Sequence, residues 1–263
     1  MSPSPKIALD VVRLPVLNDN YVWLLHDSVT GDTAVVDPAV SEPILEALRA
    51  RGWTLTMILN THHHGDHIGG NATIKAATGC EIVGFAGDSH RIPNMDRQVR
   101  EGDLVAFGRT RFEVIEVPGH TTDHIAYWSD EAKILFCGDT LFSLGCGRAF
   151  ECAPEVLWTS LTRIRALPDD TAFYCAHEYT EANGRFAVTV DPGNPALKEQ
   201  MSDVLRLRGQ GEATVPGLLG REKRSNPFLR ADDPAVAKGV GLPGAQPGRV
   251  FAEVRERKNN FKG

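Results

Sequence analysis

Apolar positions fall in short runs over the first 180 residues and then take up a helical period. Residues 21–25 and 33–36 are apolar runs flanking a turn at Gly31 and Asp32, which predicts a β-hairpin. Asp37 and Pro38 end the second strand. Ser41 is placed to cap a helix, with Pro43 in its first turn and Ile44, Leu45 and Leu48 on its apolar face. Residues 57–59 read as the end of a buried strand, and Gly69 and Gly70 allow a tight turn into a short helix over 71–78. A strand is expected over 81–85, and 91–102 reads as polar and irregular. Runs at 104–107, 111–117, 124–128 and 133–137 are separated by Gly108, Pro118 with Gly119, and Ser129 with Asp130, the pattern of an antiparallel meander. Leu157, Leu161 and Ile164 mark a helix over 154–167, and 171–176 is a last strand.

Beyond residue 180 the strand pattern stops. Residues 196–207 (Leu197, Met201, Val204, Leu205) and 249–261 are helical in period, and Asp233 with Pro234 opens a shorter piece between them. Gly- and Pro-rich connections cover 209–220 and 239–248. The expected fold is α/β: sheets covered by helices over 1–178, followed by a small helical domain over 179–263.

Composition narrows the function classes. At 263 residues the chain can bury a sizeable core without staples. No stretch approaches 18 apolar residues, so no membrane span or membrane partner is expected. The first ten residues lack a basic region followed by an apolar core, and the expected location is cytoplasmic. Five cysteines, an odd count without metal-finger spacing, read as free thiols in a reducing cytosol. A net charge of −6 argues against a nucleic-acid partner. An anionic substrate would need a local basic cluster, because the overall field repels it.

The densest chemistry lies at residues 61–67, Thr-His-His-His-Gly-Asp-His, directly after a strand. In an extended segment His62 and His64 point to one side, while Asp66 and His67 address a second point. Such a set suits two divalent ions a few ångströms apart. His120, Asp139 and His177 each follow an apolar β run and precede a break, so all can reach one sheet edge. Two divalent ions, two carboxylates and one hydroxide sum to about +1, with neutral imidazoles adding nothing, and that charge suits an oxyanion formed in reaction. Nitrogen and oxygen donors fit Zn, Fe or Mn. His63 points away from its neighbours, and Asp37 and His124 are candidates for groups that orient the ligands.

The 61–67 loop, Pro118-Gly119-His120-Thr121, Gly138-Asp139-Thr140 and His177-Glu178-Tyr179 resemble the metal motifs of the metallo-β-lactamase superfamily. Within it the chain resembles the glyoxalase II (hydroxyacylglutathione hydrolase) family over essentially its whole length. The resemblance implies an αββα sandwich followed by a helical domain. It implies one metal on His62, His64 and His120, another on Asp66, His67 and His177, and Asp139 bridging them, with zinc the first choice. It implies hydrolysis of S-(2-hydroxyacyl)glutathione thioesters, chiefly S-D-lactoylglutathione, by a metal-bridging hydroxide in which Asp66 and Asp139 take part. Arg148, Tyr179, Arg255 and Lys258 fall on the family's substrate positions, whereas spacing alone would make Arg255 and Lys258 the solvated face of a terminal helix. Phe150 stands where some members carry a substrate-binding Tyr. A monomer is expected. A mononuclear-iron persulfide dioxygenase of the same superfamily is the alternative, favoured less because the second ligand set is complete and the basic tail is present.

Overall fold

Residues 10–36 fold as a three-stranded antiparallel ribbon, β1 (Asp10–Val16), β2 (Asn20–His26) and β3 (Thr33–Val36). The computed structural model describes residues 9–262, and its chain divides into two compact units: 9–116 with 125–138, and 117–124 with 139–262. In the first unit the ribbon continues through helix α1 (Glu42–Arg51) into strand β4 (Leu55–Leu59), which pairs parallel to β3. The chain then passes through α2 (Gly65–Ile68) and α3 (Asn71–Thr78) to β5 (Glu81–Phe85) and β6 (Arg97–Val99), both again parallel. Ile44, Ala47, Leu48 and Ile74 from the helices close over Val22, Leu24, Val35, Ile58 and Ile82 of this sheet, and removal of that apolar area from water holds the layer.

Strand β6 lies inside the stretch expected to be irregular. Val99 is buried (1% exposed), while Arg97 and Gln98 sit on the sheet's edge strand, where polar side chains are tolerated and weaken the apolar signal. Ser41 occupies the expected cap position, but it takes a helical conformation and its side chain makes no capping bond.

The second sheet of this unit is the expected meander: β7 (Leu104–Phe107), β8 (Thr110–Glu116), β9 (Ile125–Ser129) and β10 (Ile134–Gly138), each antiparallel to the next. Tyr127 of β9 is fully buried, and its hydroxyl donates to the Asn60 carbonyl (3.0 Å) at the end of β4. That bond ties the second sheet to the strand that launches the histidine loop.

The second unit holds a two-residue-per-strand hairpin, β11 (Leu141–Phe142) and β12 (Gly145–Cys146), helix α4 (Pro154–Arg165) and strand β13 (Ala172–Cys175). There follow α5 (Thr180–Val190), α6 (Pro195–Gly209), β14 (Gly217–Leu218, paired with β13), α7 (Leu219–Ser225), α8 (Pro234–Gly239) and α9 (Pro247–Asn260). Asn194 caps α6, accepting from the Ala196 and Leu197 amides, and Asp233 caps α8. Helix α5 was not expected. Its Asn, Gly and Thr residues are poor helix formers, but Phe186, Ala187 and Val190 are buried, and Gly184 leaves room for Met201 and Leu144. Tertiary packing overrides propensity there. Among the described residues no helix is long and apolar enough to cross a membrane.

Candidate metal and substrate site

In the first unit the histidine loop is organised by Asp37, at the end of β3. Asp37 takes a left-handed backbone conformation (φ 49°) that Asp tolerates better than most residues. Its Oδ2 accepts from His67 Nδ1 (3.1 Å) and from the Thr61 hydroxyl (2.7 Å), and its Oδ1 accepts from the Thr61 amide (2.8 Å). The Thr61 oxygen in turn accepts from His62 Nδ1 (3.0 Å). One carboxylate therefore sets the tautomer of two imidazoles, directly for His67 and through a hydroxyl for His62, and leaves Nε2 as the lone-pair nitrogen in each. His62 and His67 are fully buried. Asp66 and His67 ride on the single turn of α2, and Asn20 Nδ2 donates to Asp66 Oδ2 (3.0 Å). His63 turns away, with Nδ1 3.4 Å from Asp88 Oδ1.

The second unit carries His120, Asp139 and His177 as a row. His120 Nε2 lies 3.4 Å from one Asp139 oxygen, and His177 Nε2 lies 3.4 Å from the other. His120 Nδ1 donates to the Arg148 carbonyl (2.8 Å), which fixes its tautomer. The Asp139 amide donates to His124 Nε2 (3.1 Å), so that buried histidine orients the backbone under the carboxylate. Gly147 permits the close approach: a Cβ there would lie 2.0 Å from the Asp139 carbonyl oxygen and 3.2 Å from His120 Nδ1.

These donors fit divalent metal ions. Two nitrogen or oxygen ligands on one tetrahedral ion stand about 3.3–3.6 Å apart. The two Asp139 pairs have that spacing, at 3.4 Å, and His62 Nε2 with His64 Nδ1 (3.0 Å) and His67 Nε2 with Asp66 Oδ2 (3.7 Å) fall a few tenths of an ångström to either side of it.

A cavity of about 450 Å³ in the second unit is lined by His120 and Asp139 together with Arg148, Phe150, Tyr179, Arg255 and Lys258. Tyr179 stacks on His177 (centroids 4.7 Å apart, planes 4° apart), and Phe142 packs edge-on against both. Phe150 tilts against the His120 ring. Arg255 is not on a solvated helix face. It is 4% exposed, donates from Nη1 to the Cys146 carbonyl (2.9 Å) and from Nε to Asn259, and lies over the Phe228 ring. Lys258 Nζ reaches the Ala182 carbonyl (3.2 Å), and burial next to Arg255 and Arg148 pushes its ammonium below the ordinary lysine value. Sequence reasoning passed over Asn20 and Phe142, because neither residue type nor spacing marks them.

A layered α/β fold with paired His and Asp donors at its strand ends is the arrangement of the metallo-β-lactamase superfamily, whose family model matches residues 17–177. A second model, "Hydroxyacylglutathione hydrolase C-terminus", matches residues 178–261. A hydroxyacylglutathione hydrolase of Methylococcus capsulatus is 55% identical over 97% of this chain and 100% of its own length. Among solved structures, ETHE1 from Myxococcus xanthus is 26% identical (TM-score 0.66, covering 95% of this chain and 98% of its own). Another, solved in a di-iron-bound form, is 25% identical (TM-score 0.59, covering 84% and 100%). The chain belongs to the hydroxyacylglutathione hydrolase family of metallo-β-lactamase-fold enzymes. Its fold and His/Asp clusters carry the donor set of a dinuclear metal site.

Proposed function

We propose that this chain hydrolyses S-(2-hydroxyacyl)glutathione thioesters, with S-D-lactoylglutathione its principal substrate, yielding glutathione and D-lactate in the second step of methylglyoxal detoxification. The observation that carries the reading is the cavity lined by three cations and a phenol together with His120 and Asp139. A tripeptide thioester that carries two carboxylates needs such a cluster in a protein whose net charge is −6. Residues 1–178 act as the metal hydrolase part and 179–263 as the glutathione-binding part.

The reading assigns one ion to His62, His64 and His120, a second to Asp66, His67 and His177, and Asp139 to both. Two divalent ions, when bound, supply the Lewis acidity that makes water nucleophilic near neutral pH and polarises an acyl carbonyl. Zinc is the first choice, and the relative in a di-iron-bound form supports iron as the alternative. Asp37 and Thr61 engage Nδ1 of His67 and His62 and leave Nε2 presented, and the Arg148 carbonyl does the same for His120. Arg148 and Lys258 meet the glutathione carboxylates, Tyr179 donates its hydroxyl, and Arg255 acts through its charge and remaining guanidinium edge. The leaving thiolate is weakly basic, so no strong general acid is required. Five free cysteines fit a reducing cytoplasm, and the enzyme is read as a monomer acting without nucleic acid or membrane partners.

The dioxygenase reading is weaker: the match to the hydrolase C-terminal model and 55% identity to a hydrolase stand against 26% to ETHE1. Comparing hydrolysis of S-lactoylglutathione with the same acyl group on a simple thiol tests the proposal. A clear preference for the glutathione thioester, without oxygen uptake on a persulfide, is expected; equal turnover of both thioesters would overturn the glutathione assignment.

A further inference from the structure

We infer that Glu222, remote in sequence from every His and Asp of the metal-donor set, is a positioning residue for this site, its buried carboxylate holding the β11–β12 turn between Asp139 and the seat of Arg255. The inference rests on the functional reading above but is tested separately from it.

Glu222 on α7 is 1% exposed. Its Oε1 accepts from the Ser143 hydroxyl (2.8 Å) and Gln200 Nε2 (2.5 Å), and its Oε2 from the Leu144 amide (2.7 Å) and Asn226 Nδ2 (3.1 Å). All four donors are neutral, and among the described residues no cation is bonded to this carboxylate. A buried charge without a counter-ion is costly, and burial pushes its carboxyl above the usual value while the four donors oppose that. An apolar side chain there would leave the Leu144 amide and three side-chain donors short of an acceptor, so the carboxylate is what lets this turn be buried in its present shape.

The hairpin has few other means of holding its shape. It has two residues per strand, and Leu144 at its tip is left-handed (φ 55°). Side chains from three directions meet its backbone: Glu222 takes the Leu144 amide, Asn183 donates to the Ser143 carbonyl, and Asn226 donates to the Phe142 and Gly145 carbonyls. Each end of the hairpin serves the site. Two residues before it stands Asp139. Phe142 packs on His177 and Tyr179. At its far end the Cys146 carbonyl receives Arg255, and Gly147 abuts the Asp139 carbonyl. A shift of the turn would move the bridging carboxylate and the arginine seat together.

Glu222→Gln keeps the volume but turns an NH₂ group toward two donors. Expected is unchanged far-UV circular dichroism, a KM for the glutathione thioester raised about 10-fold, and metal lost to a chelator about 10-fold more readily, the size seen when groups behind ligands are removed. Glu222→Asp should recover part of both. Ser143→Ala, which deletes one donor and no buried charge, gives smaller changes in the same direction and stands in if Glu222→Gln does not fold. Variants that shift only the melting temperature, with KM, kcat and metal retention as in the wild type, would overturn the inference. Failure of the wild type itself on the glutathione thioester would instead overturn the functional reading, and the metal measurement would still judge Glu222.

Discussion

His67 and Asp37 are hydrogen-bonded, Nδ1 to Oδ2 at 3.1 Å, thirty residues apart in sequence. The bond makes Nε2 the only nitrogen of His67 that can serve a metal, and Thr61 extends the same control to His62. Asp37→Ala is expected to weaken metal binding about 10- to 100-fold, read by competition with a chromophoric chelator. Unchanged affinity would reduce Asp37 to a strand-end residue.

One Asp139 oxygen stands 3.4 Å from His120 Nε2 and the other 3.4 Å from His177 Nε2. Asp139→Ala is expected to bind fewer than two ions per chain by elemental analysis and to lose at least about 10³-fold in kcat. Near-normal turnover with two ions bound would contradict the bridging role.

Lys258 and Arg255 line the same cavity but differ in engagement. Lys258→Ala should raise KM about 10-fold with little change in melting temperature. Arg255→Ala should raise KM and also destabilise, because the Cys146 carbonyl loses its donor. The ammonium of Lys258 is held below the ordinary lysine value by burial and by Arg255 and Arg148, so it loses its proton, and the site a cation, earlier as pH rises. KM should therefore climb on the alkaline side, and this limb should vanish in Lys258→Ala.

Asp27 is fully buried and accepts from the Arg109 amide (2.9 Å), the Arg109 guanidinium and the Val29 amide. The Arg109 bond holds its carboxyl well below the usual carboxylate range. A depressed folded-state value means that the stabilisation is present above the unfolded value, about 3.9, and is lost as pH falls toward the folded one. Asp27→Asn should cost about 2 kcal/mol near neutral pH, and the gap to the wild type should close below pH about 4 in thermal melts.

Much of the fold was legible where a single face repeats. The helix over 71–78 and the meander showed because Ile74 and the β-branched runs alternate cleanly with turn residues. Strand β6 and helix α5 did not, since an edge strand and a Gly-containing buried helix carry weak periodicity. The donor residues stood out because their types cluster at strand ends. The groups behind them were harder to see: Asn20 meets Asp66 across 46 residues and Glu222 meets Ser143 across 79, distances over which chain pattern carries no information. For Arg255, helical spacing pointed to water, and packing against Phe228 and Cys146 decided otherwise.

Cys146 lies in the wall of the cavity, and burial pushes its thiol up to about 11; that of Cys175, behind His177, reaches about 12. At neutral pH Cys146 is therefore held as the thiol, and un-ionised sulfhydryls barely exchange with disulfides. An enzyme that frees one molecule of tripeptide thiol per turnover thus keeps in its cavity wall a sulfur atom too sluggish to exchange with the disulfide form of that product.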